Sequence, residues 1–118
     1  MGENKEYITI TTDKGNVNVS VDVISVVAAR AVTETEGVAA LAWESTDIFG
    51  KKNVSKGIRL SFAEDDSVGI EVYILAKMGV SVHKTASDVQ KNVISNVETV
   101  TGVKVSEVNV HVVGIDLK

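Results

Sequence analysis

Residues 81–115 constrain the fold of this chain more than any other stretch, because they set a long helical period, a stop and a strand in fixed order. From Val82 the apolar positions fall at Ala86, Val89, Val93, Val97 and Val100, a three-to-four spacing that gathers them on one helix face. Ser81 can cap the start, with Thr85 and Asp88 as an alternative one turn later. Such a helix spans about 30 Å at about 1.5 Å per residue. Gly102 follows Thr101 where a left-handed residue ends a helix. Val108, Val110 and Val112 then alternate with Asn109 and His111, the period of a strand. Parity shifts between Val105 and Val108, so Ser106 and Glu107 predict a bend or bulge.

The remainder adds strands and a second helix. The 118 residues hold 23 valines and 9 isoleucines against 4 leucines, and stiff β-branched side chains favour sheet over helix. Residues 7–12 form a β-rich run, and Val17 and Val19 a shorter one, with turn chemistry in Asp13, Lys14, Gly15 and Asn16 between them. That pattern reads either as a hairpin or as a tail leading into one strand. Ser20 can cap a helix, and Asp22 suits its first turn. Val23, Ile24, Val27, Ala28, Ala31 and Val32 give this helix a broad apolar face up to Glu36, and Gly37 ends it. Residues 38–43 are apolar on both faces and read as a buried strand or a helix remnant. Periodicity dissolves over residues 45–56, a loop.

A second hairpin is clearer. Ile58, Leu60 and Phe62 alternate, Glu64, Asp65, Asp66 and Ser67 make the turn, and Val68, Ile70, Val72, Ile74 and Ala76 share one parity. The order β-α-β-β-α-β, with an extra N-terminal strand allowed, predicts a two-layer α+β sandwich. Its sheet is mainly antiparallel and carries two helices. Residues 1–15 are expected to form an N-terminal segment or strand, and residues 16–118 a single domain.

Composition narrows the function classes. There is no cysteine, which excludes disulfides and thiolate metal sites. The polar first six residues predict no secretory leader, and no apolar run reaches the ~18 residues of a membrane span. A cytoplasmic protein without direct membrane insertion is expected. The net charge of −4 and pI near 5.1 disfavour nucleic acid, and no Gly-x-x-Gly clamp for a nucleic-acid backbone is present.

No catalytic constellation emerges. His83, near the start of the long helix, and His111, on the polar parity of the last strand, read as ordinary surface histidines, with no partner spaced for metal binding. Glu64, Asp65 and Asp66 read as a solvated turn rather than a cation site, since no spaced ligand set follows them. Gly50-Lys51-Lys52 lacks the glycine spacing of a phosphate loop. No catalytic, cofactor-binding or metal-ligating residue is therefore assigned, and no cofactor is expected. The features that suit protein contacts are Trp43, Ile48 and Phe49 in or beside the loop, and Tyr73, Leu75, Val113 and Ile115 on the second face of their strands. The alternative is that they pack beneath their own loop or the N-terminal strands.

The residues Val97-Glu98-x-x-Thr101-Gly102-Val103-x-Val105-x-x-Val108-Asn109-Val110-x-Val112, with Gly79 and Val89-Gln90-x-x-Val93 before them, resemble the signature of the alkaline shock protein family. These are envelope stress response proteins of Gram-positive bacteria, otherwise a domain of unknown function. Val23-Ile24, Ala28-Ala29-x-Ala31 and Gly37-Val38 fit that family's first helix, and residues 57–74 its central hairpin. Met78 stands where the family often has Tyr, and His83 and Lys84 where Pro-Glu often opens the long helix. The resemblance implies a small non-enzymatic cytoplasmic protein, linked to stress and to cell envelope homeostasis. It further implies a chain that self-associates into an oligomer and is held near the membrane by a membrane-anchored or envelope-associated protein partner. A regulatory binding subunit of a soluble metabolic enzyme is the alternative, and a nucleic-acid-binding domain the weaker one.

Overall fold

The computed structural model describes residues 7–42, 54–55 and 57–117. Trp43, Ile48 and Phe49, and nearly all of the 45–56 loop, lie outside the described residues. Tyr7–Thr12 (β1) and Gly15–Ser20 (β2) pair antiparallel around Asp13 and Lys14, so the N-terminal run is a hairpin. Its inner face buries Ile8 and sets Ile10 against the end of the long helix.

The Ser20 hydroxyl accepts the Asp22 amide at 3.1 Å and starts the helix Val21–Thr33 (α1). This helix stops short of the expected Glu36. Thr33 Oγ1 donates to the Arg30 carbonyl and Thr35 Oγ1 to that of Ala31. The threonines thus occupy carbonyls at the helix end, a competition with the ladder that Thr favours. Ile24, Ala28, Ala31 and Val32 are buried as their spacing requires, but Val23 is 45% exposed. Ser25 takes a buried place instead.

Val38–Leu41 (β3) is a strand, which resolves the ambiguity of that short apolar run. Val54–Ser55 (β4), Ile58–Phe62 (β5) and Val68–Lys77 (β6) follow, with the expected turn between β5 and β6. In that turn Asp65 Oδ1 accepts both the amide and the hydroxyl of Ser67, which lowers the Asp65 pKa. These bonds give the aspartate a turn-forming role.

The long helix Val82–Thr101 (α2) begins where Ser81 Oγ accepts the Lys84 amide at 3.2 Å. Asp88 does not cap; it binds Lys84 Nζ at 2.7 Å. Gly102, at φ 79°, donates its N–H to the Glu98 carbonyl and closes the helix in the left-handed conformation anticipated for it. Val89, Val93 and Val97 are fully buried, together with Thr85. The stripe is shorter than its sequence pattern: Val82 is 39% and Val100 63% exposed. The Thr101 hydroxyl accepts the Val103 amide, and a Glu98 carboxylate oxygen accepts that of Val105. These bonds lead the chain directly into Val105–Asp116 (β7).

The central strand is β6. Along one edge it pairs antiparallel with β5 through Val68–Val72 and then with β3 through Ile74–Ala76, so two short strands share one edge end to end. Gly57 lies at their junction with φ +98°, where a Cβ would stand 2.3 Å from the Ala42 carbonyl oxygen. Only glycine meets both demands. Outside β5 lies β4. On its other edge β6 pairs with β7 in parallel, the arrangement that an intervening helix such as α2 makes reachable. The main sheet is therefore mainly antiparallel with one parallel pair. Its register shifts where Val68 meets Val105 and Gly69 meets Glu107, leaving Ser106 as the extra residue at the predicted bulge. A second, unanticipated shift leaves Val113 extra between Val112 and Gly114. Both helices cover one side of the sheet, and the core of Ile70, Val72, Ile74, Val89, Val93 and Val97 lies between the layers.

Candidate interaction surface

Alternation along β6 sends Ile70, Val72, Ile74 and Ala76 toward the helices, and all four are fully buried. Glu71, Tyr73 and Leu75 take the opposite parity and are half-buried. They lie on a side that no described helix covers. Register carries the same side onto the neighbouring strands: Arg59 of β5 pairs with Glu71, Ala40 of β3 with Leu75, and Asn109 and His111 of β7 with Glu71 and Tyr73. Among the described residues the sheet is thus packed on one face and bare on the other.

A polar and aromatic cluster occupies the centre of the bare face. Parallel pairing sets Tyr73 beside His111, and their rings stack with centroids 4.6 Å apart and planes 15° apart. His111 Nε2 lies 2.8 Å from Glu71 Oε1 and donates to it. Asn109 Nδ2 reaches Glu71 Oε2 at 3.3 Å and Glu107 Oε2 at 3.4 Å. The hydrogen bond from His111 is the largest influence on Glu71 and lowers its pKa; Asn109 adds to this, while partial burial opposes it. Glu71 is therefore a carboxylate locked in orientation on an open surface. A histidine beside a carboxylate also occurs in catalytic sites, but among the described residues no serine, cysteine or threonine hydrogen-bonds to this imidazole. Among the described residues, no group of three His, Cys, Asp or Glu could hold a metal.

The residues singled out from sequence fall in different places. Tyr73 and Leu75 lie on the bare face. Val113 is the bulged residue and is 54% exposed. Ile115 is a correction: strict alternation would set it with Tyr73, but the bulge puts it in register with Ala76, on the helix side, where it is 42% exposed. Trp43, Ile48 and Phe49 fall outside the described residues. His83 is exposed at the start of α2. The reading of His111 as an ordinary surface histidine missed its partners, as Glu71 and Asn109 were missed altogether. A signal was available, since Glu71 and Tyr73, like Asn109 and His111, are spaced two apart on strands joined by one helix.

The described residues thus form a one-sided α+β sandwich with an open, hydrogen-bonded sheet face. A family model for the alkaline shock protein 23 family, described by its cell envelope-related function, matches residues 9–117, and the chain belongs to that family. It is 37% identical over 108 residues to the uncharacterized protein YqhY of Bacillus subtilis (strain 168), covering 88% of this chain and 79% of that one. Similarity to the uncharacterized protein Spy1535 of Streptococcus pyogenes serotype M6 is 36% over 102 residues, covering 86% and 79%. With the uncharacterized protein YloU of Bacillus subtilis (strain 168) identity is 29% over 114 residues, covering 92% and 94%. No solved structure matches significantly. The family is not described as one of enzymes. Among the described residues, no helix is long and apolar enough to cross a membrane.

Proposed function

We propose that this chain is a non-catalytic interaction module of the cell envelope. It self-associates and docks through its bare sheet face on a membrane-anchored or envelope-associated protein, working at the cytoplasmic side without inserting into the bilayer. The observation that carries this reading is the one-sided sheet, with Glu71, Tyr73 and His111 fixed in one geometry on its open face. A surface whose rotamers are already held loses less side-chain entropy on binding. Tyr is also among the residues that anchor protein interfaces. Family membership, with its envelope-related description, points to the compartment.

Affinity capture from detergent-solubilised membranes and from soluble extract tests the docking. The wild-type chain is expected to retain an envelope-associated protein that a Tyr73→Ala/His111→Ala variant loses. Retention of a soluble metabolic enzyme by both forms would contradict it. For self-association, light scattering coupled to size exclusion should read more than one protomer, and a strict monomer at high concentration would sink that part.

A further inference from the structure

We infer that the outer edge of β7 is closed to strand addition, and that two side chains of α2, Gln90 and Glu98, close it. Backbone direction identifies that edge. Val68 donates its amide to the Lys104 carbonyl, and its own carbonyl accepts the Ser106 hydroxyl, so both groups of Val68 face β7. Tyr73 turns the other way: its amide donates to the Gly57 carbonyl, and its carbonyl accepts the Ala42 amide. Alternation then aims the backbone groups of Ile70, Val72 and Ile74 at β7. In a parallel ladder the residue in register with a bonded one turns its own groups outward. Val105, Val108, Val110 and Val112, which stand in register with Val68, Ile70, Val72 and Ile74, therefore carry the outward amides and carbonyls.

Among the described residues no strand pairs along that edge. Soluble proteins blunt such edges with lysine, proline, bulges or short length. The chain has no proline, and residues 105–116 contain no lysine, so α2 supplies the protection instead. Gln90 Nε2 donates to the Val108 carbonyl at 2.9 Å, and a Glu98 carboxylate oxygen accepts the Val105 amide at 3.0 Å. Both side chains come from exposed helix positions, where water would satisfy them, and each gives up rotamer freedom to reach the strand. They occupy an outward donor and an outward acceptor that an added strand would need. Beyond them only Val110 and Val112 remain before the bulge at Val113 breaks the register, a run shorter than an ordinary strand. The guard is independent of the docking and self-association proposed above, and it excludes this edge from both.

Gln90→Ala/Glu98→Ala in the full chain removes the guard while keeping helix propensity high and adding no apolar bulk. Because the chain has no cysteine, Glu107→Cys, Asn109→Cys and His111→Cys, made singly, report strand addition along β7. Opposed Cβ atoms in an antiparallel pair are about 4.5–5.5 Å apart, within reach of a short bifunctional thiol reagent. Thr11→Cys, exposed on the N-terminal hairpin, reports association by any other route. At matched concentration the guardless chain is expected to give several-fold more covalent dimer at one or more of the three β7 positions than the chain with Gln90 and Glu98 intact, and no gain at position 11. Equal yields at all three β7 positions with and without the guard overturn the inference. A rise of similar size at position 11 overturns it too, because that reports general loosening of the fold rather than an opened edge.

Discussion

Glu71 connects two neighbours, and its chemistry shows how one carboxylate organises an open sheet face. His111 donates to one oxygen and Asn109 to the other, so the charged form is favoured and the pKa is lowered from the usual 4.5. The stabilisation this lends is present above the ordinary glutamate value and is lost as pH falls through the lowered one. Because the His111 and Glu71 side chains are 43% and 36% exposed, solvent screening keeps it to no more than about 1 kcal/mol. Replacing His111 by Ala should raise the Glu71 titration midpoint toward 4.5, read by carbon NMR of the carboxyl group. An unchanged midpoint would show that the contact is not made in solution. Gly57 carries a sharper consequence. Its φ of +98° and the 2.3 Å approach of a Cβ to the Ala42 oxygen make Gly57→Ala destabilising by about 2 kcal/mol or more. Thermal unfolding measures this, whereas Gly79→Ala, with positive φ but open space around it, should cost less. At this scale the sequence told little: Gly57 was one glycine among 9, and neither its φ nor its neighbour is local information.

Elements were far more legible. The valines at 89, 93 and 97, the caps at Ser81 and Gly102, and the bulge at Ser106 were all readable, because each follows from spacing or from a local backbone preference. The misread positions were those decided by what packs alongside. Val100 continues the α2 stripe but is exposed, and α1 ends early because Thr33 and Thr35 bond back to its carbonyls. The shift at Val113, which moves Ile115 to the other face, is signalled by the switch of apolar parity from Val112 to Val113 and by Gly114 beside it, but the same residues equally fit an unbroken strand with two apolar faces. These differences separate two substitutions of identical chemistry. Val93→Ala, at a fully buried site, should cost about 2 kcal/mol through lost burial and a residual cavity. Val100→Ala, at an exposed one, should fall within about 0.5 kcal/mol. Equal losses in urea unfolding would contradict the placement of α2 on the sheet. At its start, Ser81→Ala removes the bond to the Lys84 amide and should cost about 1 kcal/mol.

The whole molecule is a thin slab of 49 × 32 × 18 Å, one sheet and one helix layer deep. Its asymmetry follows from topology. Helix α2 connects two strands of the main sheet, α1 leads into that sheet from the β1-β2 hairpin, and both lie on the same side, so among the described residues the second side stays bare. Tyr73 and Leu75 were readable as apolar residues on the wrong parity for the core, while the polar partners that hold Tyr73 in place were not, because the parallel register of β6 and β7 had to be known first. The account rests on that bare face being where the chain meets the envelope. Sedimentation of membranes from cells producing either the wild-type chain or Tyr73→Ala/His111→Ala, at matched levels and with folding checked by circular dichroism, tests it most directly. Wild-type protein is expected to pellet with the membranes and the variant to stay in the supernatant. Equal pelleting of the two forms, or none of either, would contradict the account.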